Sequence, residues 1–115
     1  MIEGPVLQGQ SFVSALRFMQ QALEAGHSVD SVFLYRDAVG AASALIDLPS
    51  DEPNLSATLQ QFCQAHQIPL LFCITAAEKR GVCSNEVKPA DGYLAAGLAE
   101  FAMRLAKADK LVQFS

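Results

Sequence analysis

The chain's 115 residues make one domain, 1–115, long enough to bury roughly two-thirds of the surface its unfolded form exposes. With 51% hydrophobic and only 17% charged residues, it is no intrinsically disordered chain. Eight basic residues against twelve acidic ones leave a net charge of −4, and Lys79-Arg80 is the only adjacent basic pair, so direct nucleic-acid binding is disfavoured.

Phe12, Ala15, Leu16, Met19, Ala22 and Leu23 recur at helical spacing, with Ser14, Arg17, Gln20, Gln21 and Glu24 on the other side. Ser11 reads as the N-cap and Gly26 as the left-handed stop. Val29–Tyr35, β-branched and aromatic, predicts a strand, and Ala38–Ile46 a short helix. Pro49–Pro53 is a turn-rich connector into a second helix that carries Leu55, Leu59, Phe62, Cys63 and His66 on one face. Leu70–Thr75 is apolar until its last residue, as a strand buried on both faces requires. Ala76–Arg80 predicts about one helical turn ended by Gly81, and Val82–Asp91 the longest loop. Leu94, Leu98, Phe101, Ala102 and Leu105 mark a third amphipathic helix, and Leu111–Phe114 a last short strand.

Strands alternating with helices imply an α/β domain with a parallel sheet and right-handed crossovers. The first helix of such a domain is normally fed by a strand, and only Met1-Ile2-Glu3 precede the turn at Gly4-Pro5. The expected first strand is therefore a truncated stub.

The N-terminus has neither the basic region nor the apolar region of a signal peptide, and Ile68–Ile74 is too short to span a bilayer. Cys63, Cys73 and Cys83 cannot pair completely, and no C-x-x-C spacing or zinc-like cluster with His27 and His66 occurs. These features predict a cytoplasmic protein with free thiols, no metal and no membrane partner.

Ligand sites of open parallel sheets lie outside the carboxyl ends of the strands. Here that rule selects Gly4–Gly9, Tyr35-Arg36-Asp37 and Cys73–Thr75. Gly4–Gly9 is neither a dinucleotide fingerprint nor a P-loop. Cys73 stands just before a predicted helical turn, whose free N–H groups and dipole favour a thiolate. Lys79 and Arg80 would add positive field. Against this stands the ordinary behaviour of a free cysteine as a small buried hydrophobe. Cys63 reads as core, Cys83 as an incidental loop residue or, alternatively, an exposed second thiol, and His27 and His66 as solvated residues at helix ends.

The run Cys73-Ile74-Thr75-Ala76-Ala77-Glu78-Lys79-Arg80-Gly81-Val82 resembles the cysteine-bearing segment of the DsrE/TusD family of sulfur-relay subunits. Gly4-Pro5 with the helix through Gly26-His27, the stretch Ser31–Val39 and the ending Ala108–Phe114 also resemble that family, in order and over nearly the whole chain. The resemblance implies a three-layer, flavodoxin-like doubly wound fold and a sulfurtransferase without a cofactor. Its thiol, here Cys73, takes sulfane sulfur as a persulfide from a donor protein and passes it to an acceptor protein. The relay would end in 2-thiolation of a tRNA wobble uridine or, alternatively, in dissimilatory sulfur oxidation. Tyr35, Arg36, Ala76, Lys79 and Arg80 would support the site's edge. TusB- and TusC-like subunits are the implied partners, in a hetero-hexamer. Two further readings compete: a non-catalytic scaffold subunit with an inert Cys73, and a nucleotide- or flavin-binding domain that fold analogy alone supports.

Overall fold

The computed structural model describes residues 1–6, 9–44, 46 and 54–115. The elements run α1 (Gln10–Glu24), β1 (Val32–Leu34), a 3-10 helix (Arg36–Ala42), α2 (Leu55–Ala65), β2 (Leu70–Cys73), α3 (Ile74–Lys79), β3 (Leu94–Ala96) and α4 (Leu98–Lys107). The three strands are parallel in the order β1-β2-β3. The expected stub is present: Ile2 bridges Leu34 on one side and Phe114 on the other, both in parallel sense. Its backbone takes part in a regular ladder, with Ile2 N–H donating to Phe33 O and Tyr35 N–H to Ile2 O, each at 2.9 Å.

In space the order is therefore Phe114, Ile2, β1, β2, β3. Successive steps from Ile2 to β3 all move the same way, so right-handed crossovers place α1, α2 and α3 on one face. The return from β3 to Phe114 runs backwards and places α4 on the other. On that second face Phe33, Leu71 and Leu94 stand in register across the sheet. Phe33 is covered by the ring of Phe101 from α4, stacked at 4.3 Å.

The core follows from the apolar stripes. α1 buries Phe12, Ala15, Leu16 and Met19, and α2 buries Leu59 and Cys63. Both continuous apolar strands, Val32–Leu34 and Leu70–Cys73, are buried along their whole length.

Several boundaries differ from the sequence reading. The N-cap of α1 is Gly9, with Ser11 buried inside the first turn, packed so closely on Gly4 that a Cβ there would come within 2.5 Å of its Oγ. The strand predicted over Val29–Tyr35 contracts to Val32–Leu34, and the short helix is a 3-10 helix that starts at Arg36. β2 ends at Cys73, so Thr75 belongs to α3. Leu94 is not helical: Leu94–Ala96 pairs with Leu71–Cys73 as β3, and α4 begins only after Gly97. Of the predicted last strand, Phe114 alone forms a bridge. The connector Pro49–Pro53 lies outside the described residues.

Three helices end in the same way. After α1, His27 N–H reaches Ala22 O and Gly26 N–H reaches Leu23 O; after α3, Val82 and Gly81 do the same to Ala77 and Glu78. Both turns put glycine in the left-handed region, Gly26 at φ 90° and Gly81 at φ 71°. After α2 the equivalent residue is Gln67, held at φ 57° while Ile68 N–H reaches Cys63 O.

Candidate functional site

Because the strands are parallel, the segments that follow Ile2, β1 and β2 meet on one edge. The backbone joins the first two, Ala38 N–H donating to Glu3 O at 3.2 Å, with the Arg36 guanidinium 4.0 Å from the Glu3 carboxylate. Arg80 joins the second and third. Its Nε donates to Asp37 Oδ1 at 3.2 Å, and its NH1 to the Ala76 carbonyl at 3.2 Å. Arg80 thus clamps the end of α3 to the turn after β1.

Cys73 is the last residue of β2 and the N-cap of α3. Its place is set by two local preferences: the apolar run Leu70–Cys73 favours a buried strand, and Ile74–Lys79 then turns helical. The first N–H groups of α3 lack intrahelical partners, so the polar end of the turn lies beside the thiol. Cys73 is only 2% exposed. A thiol so enclosed reacts with another protein only when the groups over it move.

The supporting residues divide. Tyr35 is half-buried, stacks on Phe33 at 6.2 Å and carries the Arg36 guanidinium 5.9 Å above its ring. Arg36 itself holds φ 53°, a left-handed conformation that a long side chain rarely adopts and that tends to cluster at functional sites. Ala76 is buried and lends its carbonyl to Arg80, whereas Lys79 is exposed at the far end of α3.

The other cysteines sit elsewhere. Cys63 is core, and burial pushes its thiol up to about 12. Cys83 lies in the loop as read from the sequence, but the alternative of an exposed second thiol is overturned: it is buried, following the turn in which Val82 N–H closes onto Ala77 O. Burial and the Glu78 carboxylate both raise its thiol. Cys73 and Cys83 flank opposite ends of α3, and both are buried free thiols. His27 and His66 are exposed at the ends of α1 and α2, as expected, with His66 against the Phe62 ring at 4.6 Å.

Sequence reasoning missed two features of this half of the molecule. One is β3, for which Gly97 between Ala96 and Leu98 was the available signal. The other is a buried buckle: Tyr93 OH donates to Ser56 O at 2.6 Å and lies 3.0 Å from Ser56 Oγ, which also bonds Ala41 O. No pattern in the sequence links those residues. Together with Ala90 N–H on Ala42 O, the buckle fixes the end of the loop after α3 to α2 and the 3-10 helix. Among the described residues no cluster of three or more His, Cys, Asp or Glu could hold a metal, and no helix is long and apolar enough to cross a membrane.

Comparison with known proteins sets this geometry in a family. Residues 5–114 match the DsrE/DsrF-like family. The chain belongs to that family. Similar proteins include the sulfurtransferase TusD of Erwinia tasmaniensis, 37% identical, with 99% of this chain and 96% of the relative covered. The sulfurtransferase TusD of Pectobacterium atrosepticum is 33% identical over 99% of this chain and 95% of its own length. Among solved structures, the ychN protein from E. coli superposes with a TM-score of 0.79 at 26% identity, covering 98% of this chain and 95% of that one. The DsrE-like α/β fold expected from the resemblance is therefore the observed one.

Proposed function

We propose that this DsrE/DsrF-like chain is a sulfurtransferase subunit of a sulfur relay and that Cys73 carries the sulfur. The sulfurtransferase assignment rests on TusD relatives that align over nearly the whole chain. The observation that carries the Cys73 role is its position at the carboxyl edge of the sheet, capping α3 beside the turn held by Tyr35, Arg36 and the Arg80–Asp37 clamp.

In this reading the Cys73 thiolate attacks the outer sulfur of a donor protein's persulfide. A new S–S bond forms at Cys73 Sγ, the donor's S–S bond breaks, and the donor leaves as a thiolate. No external oxidant or reductant is consumed. The second transfer repeats the step with an acceptor thiol attacking the outer sulfur on Cys73. Arg80, engaged by Asp37 and Ala76, positions α3; it does not need to touch the sulfur. The product stream we assign is 2-thiolation of a tRNA wobble uridine, in the cytoplasm. TusB- and TusC-like subunits complete a hetero-hexamer, so the acidic chain serves tRNA through proteins. Exposed Leu94, Leu98 and Met103 support an assembly surface.

The test is transfer from a persulfide donor protein followed by intact-mass and peptide analysis. One sulfur is expected on Cys73, and Cys73→Ser should abolish loading while Cys63→Ala and Cys83→Ala retain it. Loading of the Cys73→Ser chain at the normal rate would remove Cys73 from the relay. The burial of Cys73 favours one second reading, a scaffold subunit whose thiol is inert. Absence of loading in the complete assembly, with transfer continuing through another subunit, would establish it.

A further inference from the structure

We infer that Tyr35 is the gate of the Cys73 thiol and sets its specificity: the ring keeps small thiols and persulfides away, and a protein that exchanges sulfur must move it aside. The inference rests on the reading of Cys73 as the sulfur carrier.

The sheet puts the two side chains next to each other. β1 and β2 pair in parallel, with Leu34 opposite Phe72. Tyr35 and Cys73, one residue further along each strand, both keep extended backbone, at φ −131°, ψ 158° and φ −69°, ψ 115°. The register therefore continues to Tyr35 opposite Cys73, with the two backbones about 4.8 Å apart. On its other side Cys73 pairs with Ala96 of β3. Residues two apart on a strand share a face, so Cys73 stands on the same face as Leu71. Tyr35 stands there too, since its ring stacks on Phe33, the register partner of Leu71. Leu71, Ala96 and Tyr35 are thus the side chains that the sheet sets beside the thiol.

Of these three, one can open. Leu71 and Ala96 are buried, and Ala96 has no rotatable side chain. Tyr35 is half-buried and turns about χ1 between staggered positions. Its inner contact, Phe33, is fully buried and fixed by the stack with Phe101. Its outer contact is the Arg36 guanidinium, 5.9 Å from the ring centre, on a side chain 69% exposed. The Glu3 carboxylate holds that guanidinium only at 4.0 Å. A solvent-exposed cation–π contact is weak, so the ring's outer support is easily displaced. The consequence is specificity. A thiol open to solvent exchanges with any small persulfide or disulfide that reaches it. Behind the ring Cys73 is closed to such compounds, and exchange is confined to proteins that displace Tyr35.

The experiment treats the full chain with iodoacetamide and reads each cysteine separately by peptide mass spectrometry. Tyr35→Ala should raise the labelling rate of Cys73 by about tenfold or more. Arg36→Gln removes only the outer support and should raise it by about threefold. Tyr35→Phe keeps the ring and should keep Cys73 protected. Cys63, held in the core by α2, is the internal reference, and its labelling should stay constant. Unchanged labelling of Cys73 in Tyr35→Ala would overturn the gate, as would a parallel rise at Cys63, which reports general loosening. If Tyr35→Ala does not fold, the exposed Arg36→Gln decides by the same two cysteines. A second arm offers glutathione persulfide: the Cys73 thiolate takes its outer sulfur and glutathione leaves as a thiolate. Loading measured by intact mass should be faster in Tyr35→Ala than in the parent chain, and equal loading would overturn the specificity role. Faster iodoacetamide labelling with no sulfur acquired by any variant would refute Cys73 as carrier and leave the gate standing.

Discussion

α1 and α4 are both amphipathic and flank the same sheet, yet they end in different environments. α1 sinks Phe12, Ala15, Leu16 and Met19 into the core, whereas no residue of α4 is fully buried. The row Phe33–Leu71–Leu94 on the α4 face shows where the cover stops. Phe33 and Leu71 are enclosed, while Leu94 at the sheet edge is 57% exposed beside Leu98 and, further along α4, Met103 at 69%. The helices on the first face make the more closed layer, with Phe18 of α1 as its exposed large apolar side chain at 46%. The second face is covered at its centre and left apolar at its rim, which is the pattern of a surface that another subunit completes.

The sharpest way to break that contrast is to truncate one aromatic ring from each face. Phe12 is fully buried, and Phe12→Ala should cost about 3–5 kcal/mol in chemical denaturation, enough to unfold many domains of this size. Phe101 is half-exposed and contributes its stack on Phe33, so Phe101→Ala should cost about 1–2 kcal/mol. Equal losses would show that the α4 face is as closed as the other.

Alkaline titration probes the same contrast through ionisation. Cys63 in α2 is raised from 9.0 to about 12 and Tyr93, buckled against α2, from 10.0 to about 12, each mainly by burial. Both groups are acids held neutral by the fold. Their contribution is therefore complete below pH 9 and is lost as the unfolded chain ionises, from pH 9 for Cys63 and from pH 10 for Tyr93, up to pH 12. Stability measured by urea denaturation should fall across that window, and Cys63→Ala should flatten the part that begins at pH 9. An unchanged slope in Cys63→Ala would mean that the thiol is not shielded on the α2 side.

The closed layer was also the more legible half. The spacing of Phe12, Leu16 and Met19 and of Leu55, Leu59 and Cys63 reveals α1 and α2 directly, because burial of a stripe needs only local periodicity. Gly26 and Gly81 mark the stops of α1 and α3 because a left-handed turn favours glycine, whereas Gln67, which ends α2 in the same geometry, carries no such mark. At the site, the segments after Ile2, β1 and β2 converge as parallel strands require, and Cys73 ends a buried strand ahead of a helical turn, which starts two residues earlier than the apolar run to Thr75 implies. What escaped depends on tertiary pairing. Leu94–Ala96 has no β-branched residue and joins a helical pattern, so only its ladder with Leu71–Cys73 makes it a strand. The inward turn of Cys83 and the Tyr93–Ser56 buckle join residues far apart in the chain, for which local sequence holds no code.

The smallest expected effect on stability is the most informative about the open face. Met103 contributes its apolar surface to solvent, so Met103→Lys should change unfolding free energy by no more than about 0.5 kcal/mol. The same substitution places a charge in the middle of the surface we assign to a partner subunit, where leaving it unpaired costs several times more than it does in water. Co-purification with TusB- and TusC-like subunits should therefore be lost while the isolated chain keeps its fold and its melting temperature. If assembly persists with Met103→Lys and fails instead with a surface change on α1, such as Arg17→Glu, the two faces exchange roles: the closed layer would be the docking side, and the exposed rim around Leu94 and Met103 would be ordinary surface.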